Sequence, residues 1–256
     1  MNLEFDLSCA AEFTSNSQKI RVLTEDWVVR NIFCPVCGKS SIKQFKNNKP
    51  VADFFCEDCK SDFELKSKES NNGRLGTKIV DGAYETMIQR ITSLENPNFF
   101  FLTYSKNTVT NFFLIPNHFF TTSIIEKRKP LANTAKRAGW VGCNINICSI
   151  PESGKIYIVK NKVEIPKEII CNSYKKLKGL QTQNLDSRGW ILDVLSCVER
   201  LPEHEFSLQD VYNFEQELTD KHPENNFIKD KIRQQLQFLR DKGFIEFIKR
   251  GSYRKL

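Results

Sequence analysis

Four cysteines carry the spacing of a metal site: Cys34-Pro-Val-Cys37, eighteen intervening residues, then Cys56-Glu-Asp-Cys59. Two short knuckles of this form can present four thiolates tetrahedrally to one Zn²⁺. Buried or redox-active thiols are the competing reading, which a lone CxxC would support better than two matched ones do. Four sulfur ligands leave no open coordination position, so such a zinc is structural and adds folding free energy to a loop-rich stretch. Hydrolysis would have to come from other residues. Cys9, Cys143, Cys148, Cys171 and Cys197 lack ligand spacing and read as small hydrophobes. His118, His204 and His222 have no partner spacing and read as surface or loop residues.

A second constellation overlaps the first. Pro50-Val-Ala-Asp53 is followed, eleven positions after Asp53, by Glu64-Leu-Lys66. Residues two apart on a strand project from one face, so Glu64 and Lys66 share a face that Asp53 can reach from a paired strand. Two carboxylates and an ammonium converging there suit Mg²⁺: the acids supply hard oxygen ligands, and the lysine lowers the cost of forming hydroxide and stabilises charge on a phosphate. As bare spacing the pattern also fits a solvated strand face. Its position raises its value, because Cys56 and Cys59 lie between Asp53 and Glu64 and would fix the hairpin that carries them.

The elements that must position these groups follow from hydrophobic periodicity. A helix is expected before residue 33, with Ser15 or Ser17 as N-cap and Leu23, Trp27, Val28 and Ile32 about a turn apart. VADFF and FELKS, flanking Cys56 and Cys59, read as a β-hairpin. The polar, glycine-containing stretch from Lys68 to Asp81 reads as a mobile surface loop before a helix around Gly82–Thr92. NFFFLTY at Asn98–Tyr104 and NFFLI at Asn111–Ile115 read as buried central strands, and KIYIVK at Lys155–Lys160 completes a mixed sheet flanked by helices. From Asn161 to Arg188 the periodicity weakens as in a linker, with a boundary near residue 183. Three helical patterns follow: Arg188–Arg200, Ser207–Thr219 with Ser207 as N-cap, and Asn226–Lys242 ended by Gly243. FIEFIKRGSYRKL then alternates as a hairpin turning at Arg250–Gly251. The expected fold is α/β, a mixed-sheet core over residues 1–183 with a C-terminal winged helix-turn-helix over 184–256.

Charge points to the partner. The net charge is +7, and from Asn225 to Leu256 nine Lys/Arg stand against three acids, a surplus of six. Lys127, Arg128, Lys136 and Arg137 lead up to Trp140, an indole that can pack against a methylated adenine or wedge beside a base, or else merely cap the sheet core. On the third helix Asn226, Lys229, Arg233 and Gln234 are groups that read adenine and guanine edges, while Lys249, Arg250 and Arg254 on the wing would hold phosphates. An ordinary solvated helix is the alternative there. The N-terminus has no positive leader region and no apolar run approaches the roughly 18–20 residues that span a bilayer, so a cytoplasmic monomer acting away from membranes is expected.

PVADFFC and FELKSK together resemble the PD-(D/E)xK nuclease signature. Along the whole chain, SNSQK, LTEDW, NPNFFFLTY, RAGW, KIRQQLQ and the terminal YRKL resemble the DpnI-like methyl-directed type II restriction endonucleases. That resemblance implies a PD-(D/E)xK nuclease core, double-stranded DNA with adenine-methylated GATC as substrate, and Mg²⁺ as the cutting cofactor beside a structural Zn²⁺. It makes Asp53 and Glu64 the metal ligands and Lys66 the water-orienting residue. The rival is a zinc-containing winged-helix transcriptional regulator without catalysis, in which those three groups are surface charges.

Overall fold

The computed structural model describes residues 1–46, 52–71 and 76–256. Pro50 and Val51 of the signature segment, and Asn72–Leu75 within the stretch expected to be a mobile loop, lie outside the described residues. In chain order the elements are α1 (Asn16–Asn31), β1 (Lys43–Gln44), β2 (Phe54–Phe55), β3 (Asp62–Glu69), β4 (Lys78–Ala83) and α2 (Tyr84–Thr92). Then come β5 (Asn98–Ser105), β6 (Thr108–Ile115), β7 (Ile125–Lys127), β8 (Gly142–Asn146), β9 (Ile156–Lys160), β10 (Val163–Glu164) and α3 (Lys167–Lys178). The C-terminal elements are α4 (Leu185–Arg200), β11 (Glu205–Ser207), α5 (Leu208–Tyr212), α6 (Glu215–Lys221), α7 (Ile228–Asp241), β12 (Ile245–Lys249) and β13 (Ser252–Lys255).

The chain packs as two compact units. The first, residues 1–79, 95–117 and 154–178, is built on a seven-stranded mixed sheet in the order β1-β2-β3-β5-β6-β9-β10. β3 and β5 run parallel; the neighbouring pairs β2/β3, β5/β6 and β6/β9 are antiparallel. A parallel pair requires a long crossover between its strands, here the chain from residue 70 to 97. The two phenylalanine-rich runs form β5 and β6 because their side chains bury on both sheet faces: Phe99 to Leu102 are wholly enclosed. Phe63 stacks on Phe100 at 4.7 Å, Phe100 packs tilted against Phe112 at 4.9 Å, and Trp27 of α1 meets Phe112 edge-on at 5.3 Å. Rings at these separations gain beyond the area they bury. Ser15 takes the N-cap position of α1, its Oγ lying 2.9 Å from Ser17 Oγ rather than capping a helix N–H.

Two expectations in this unit need correction. The stretch read as the start of a linker contains α3, which buries Ile170, Tyr174 and Leu177 at the i, i+4, i+7 spacing of one helix face. The expected loop from Lys68 to Asp81 is entered by β3 from one side and by β4 from the other.

The second unit comprises residues 80–94, 118–153 and 179–256. It holds a small sheet in the order β4-β8-β7 and a second in the order β11-β13-β12. In its C-terminal part, helices α4 to α7 and the β12–β13 hairpin make a winged helix-turn-helix arrangement. Ser207 forms a capping box with Asp210 at the head of α5. The single helix expected over Ser207–Thr219 is broken at Asn213–Phe214 into α5 and α6, and α4 begins at Leu185, a turn earlier than its apolar stripe indicated.

Of the histidines read as surface or loop residues, two are largely enclosed, and His222 is also the loop residue that follows α6. His118 is buried. His222 stacks face to face on Trp190 with ring centres 3.9 Å apart, and its Nε2 lies 2.9 Å from Asp193 Oδ2. Asp193 also accepts from Lys221 Nζ at 2.7 Å. Burial pushes the Asp193 carboxyl up, but the bonds and charges of His222 and Lys221 hold it below its ordinary value. Its stabilising contribution is therefore present above the usual carboxylate range and is lost as pH falls through the depressed value. Asp193→Ala removes the partner of His222 and one of the two carboxylates beside Lys221, which keeps Glu217 at 3.3 Å; we expect a loss of about 1–3 kcal/mol in denaturant unfolding at pH 7, shrinking below about pH 4. Equal stability of variant and parent at pH 7 contradicts this.

Candidate active site and metal centre

Both cysteine knuckles turn in the same way. Gly38 N–H donates to Cys34 O at 2.8 Å and Lys60 N–H to Cys56 O at 3.0 Å, while Cys34 N–H and Cys56 N–H return to Lys39 O and Ser61 O. The residue after each second cysteine sits in the left-handed region, Gly38 at φ +80° and Lys60 at φ +58°, which glycine adopts freely and lysine adopts at a cost. The four Sγ atoms lie within 4.8 Å of one another, with Cys34–Cys59 and Cys37–Cys56 each 3.6 Å apart. Tetrahedral zinc with Zn–S near 2.3 Å sets its sulfurs roughly 3.8 Å apart, so the set fits zinc. Without a cation, burial holds the Cys34 thiol protonated far above its ordinary range.

The second knuckle joins β2 to β3 and so fixes the acidic groups beside it. Asp53 N–H donates to Phe63 O at 2.9 Å, and Asp53 Oδ2 accepts from Leu65 N–H at 2.7 Å. Asp53 thus brackets Glu64 from both sides. On β3, Lys66 Nζ lies 2.6 Å from Glu64 Oε1, with 18% and 15% of the two side chains exposed, and Glu64 and Lys66 stand in register with Phe99 and Phe101 of β5. The three residues singled out from sequence are therefore brought together at the β2–β3 hairpin.

One group there had no signal in sequence. Glu25, buried on α1, accepts from Arg21 Nε at 2.6 Å and from Gln44 Nε2 at 2.7 Å. Asp53 is pushed above the ordinary carboxylate range chiefly by burial and further by the Glu25 charge, against the opposing Leu65 N–H, Lys66 and Arg21. A half-buried carboxylate whose charged form is disfavoured beside a second acid is a donor set that a divalent cation would stabilise in its ionised form. Hard carboxylate oxygens fit Mg²⁺.

The basic segments are placed in the second unit. Lys127, Arg128, Lys136 and Arg137 are exposed and Trp140 is half-buried. The Arg137 guanidinium sits 4.8 Å over the Trp140 ring. The ring's other constraint is Gly142: a Cβ there would lie 2.8 and 2.9 Å from two Trp140 ring carbons, so only glycine admits the indole in this position. Gly142→Ala should expel it. Trp27 and Trp190 are 0% and 1% exposed, so acrylamide quenching of tryptophan emission reports Trp140, and quenching should rise in the variant. Unchanged quenching would refute the contact.

In the C-terminal part Asn226, Lys229, Arg233, Gln234, Lys249 and Arg250 are exposed. Arg233 bonds to Tyr212 Oη at 2.6 Å and to Asp230, and Lys229 reaches Glu215 at 3.2 Å. Arg254 is tied to Glu205 and Glu246, each at 2.6 Å.

The fold and the cysteine cluster define a mixed α/β core with a zinc-competent knuckle pair, joined to a helix-turn-helix unit. Among known proteins, the family described as "DpnI: Dam-replacing family" matches residues 1–183, and "DpnI_C: Dam-replacing HTH domain" matches residues 186–255. The chain belongs to this family of DNA-acting restriction endonucleases. Among the described residues no helix is long and apolar enough to cross a membrane.

Proposed function

We propose that the protein is a methyl-directed type II restriction endonuclease that cuts double-stranded DNA at adenine-methylated GATC by Mg²⁺-dependent hydrolysis. Residues 1–183 catalyse and residues 184–256 anchor the duplex, with the chain acting as a cytoplasmic monomer. Asp53 and Glu64 are the magnesium ligands. Lys66, delivered to the same pocket by its ion pair with Glu64, orients the attacking water and stabilises charge on the phosphate. Lys127, Arg128, Lys136 and Arg137 neutralise phosphates, and Trp140 packs against a base.

The single observation that carries this reading is the bracketing of Glu64 by Asp53, through Phe63 O and Leu65 N–H, with Lys66 2.6 Å from Glu64. Bound magnesium supplies charge neutralisation and lowers the pKa of a coordinated water. The reaction adds water across the P–O3′ bond, hydroxyl to phosphorus and proton to the departing O3′, which leaves 5′-phosphate and 3′-hydroxyl ends. With only 18% and 15% of the Lys66 and Glu64 side chains exposed, water screens their charges less than it would on the open surface. Incubating one plasmid in adenine-methylated and unmethylated forms with Mg²⁺ tests the proposal. Fragments from the methylated form alone are expected; intact DNA in both tubes, or equal digestion, contradicts it.

A further inference from the structure

Phe227, immediately before α7, is 71% exposed, the most of any large apolar residue among those described. A lone exposed apolar side chain needs no explanation, but this one is set on a fixed backbone. Its N–H donates to Asn225 Oδ1 at 2.8 Å, and its carbonyl accepts from Lys231 N–H at 3.0 Å. The next residue, Ile228, is buried, so burying Ile228 is what leaves the Phe227 ring in solvent. Exposed Asn226 precedes it in sequence, and exposed Gln234 follows seven positions later. An exposed aromatic ring therefore stands at the N-terminal end of the helix that a helix-turn-helix unit inserts into the major groove, on an element whose exposed positions also carry amides.

The apolar groups on the major-groove floor are methyls. Adenine N6-methylation replaces one N–H donor with a methyl, which weakens amide readout and rewards apolar contact. Gln234, seven positions beyond Phe227 and so two turns along the same stripe, is a side chain of the type that pairs with an adenine edge. The thymine methyl is present in modified and unmodified sites alike, so contact with it cannot create a preference between them.

We propose that Phe227 is the apolar contact through which the C-terminal unit reads the N6-methyl group of adenine in the major groove. This rests on the reading of the chain as a methyl-directed DNA enzyme. The experiment uses the full chain without added divalent cation and measures binding by anisotropy to duplexes containing GATC or its N6-methyladenine form, each with thymine or deoxyuracil at the T position. For the parent, affinity should favour the methylated duplexes with either pyrimidine. Phe227→Ala should lower that preference about three- to tenfold, with unmethylated binding and melting temperature unchanged, and Phe227→Leu should restore part of it. An equal loss on all duplexes, no loss, or a loss that appears only where thymine is present overturns the proposal. If Phe227→Ala keeps the parent's preference while the parent still cuts only methylated plasmid, the inference fails and the functional reading stands; if the parent itself cuts both forms, the functional reading fails.

Discussion

Asp53→Ala and Lys66→Ala should each lower the rate of methylated-plasmid cleavage by on the order of 10³, while affinity for methylated duplex without divalent cation should stay at the parent value. The separation follows from where the groups sit. Asp53 is half-buried at the hairpin, its carboxylate engaged by Leu65 N–H, and Lys66 is spent on Glu64 at 2.6 Å; neither belongs to the exposed basic segments proposed to contact phosphates. Asp53→Asn carries a second expectation. Burial raises the Asp53 carboxyl above its ordinary value, so the folded chain binds a proton there more tightly than the unfolded chain does. That contribution is fully present below the unfolded pKa and lost as pH rises through the raised one. At neutral pH without divalent metal Asp53→Asn should therefore melt above the parent, and the difference should vanish below about pH 4. A stabilised but inactive variant marks a group retained for chemistry rather than for folding. Full cleavage by Lys66→Ala, or a loss of duplex affinity matching the loss of rate, would contradict the assignment.

Loss of the four-thiolate centre is the second large effect. Structural zinc contributes about 10–16 kcal/mol in small zinc-binding peptides, comparable with the roughly 5–15 kcal/mol that stabilises a whole domain. The second knuckle directly joins β2 to β3, so without metal the hold of Asp53 against Glu64 rests on the two-residue strand β2 and on the Asp53 bonds to Phe63 O and Leu65 N–H. The purified chain should contain about one zinc ion per molecule, as the four-ligand stoichiometry requires. Cys34→Ser should lose it, melt far below the parent and cut no DNA even with excess Mg²⁺. Elemental analysis with thermal unfolding checks this, and a zinc-free Cys34→Ser chain melting with the parent would contradict it.

The chemistry was more legible than the packing. Thiol spacing and the Asp53, Glu64, Lys66 pattern are local in sequence, and the hairpin that unites them spans fewer than twenty residues, so strand alternation sufficed to bring them together. Glu25 could not be read in the same way: it comes from α1, its partners Arg21 and Gln44 lie on either side of it in sequence, and only the tertiary fold sets it near Asp53. The apolar face of α3 was masked by Lys167, Lys175, Lys176 and Lys178, whose charges hide an Ile170, Tyr174, Leu177 stripe. The break between α5 and α6 has no proline or glycine to announce it; Phe214 instead turns its ring under the Arg200 guanidinium, 4.6 Å away. His222 read as a loop residue because its partners, Trp190 and Asp193, are about thirty positions earlier.

The most direct test of the account is anomalous diffraction from crystals soaked in Mn²⁺ as a stand-in for magnesium. A cation peak is expected beside the Asp53 and Glu64 carboxylates in the parent and none there in Asp53→Asn, with the cysteine-bound zinc unchanged in both. A parent crystal with manganese elsewhere and none between those two carboxylates would contradict it.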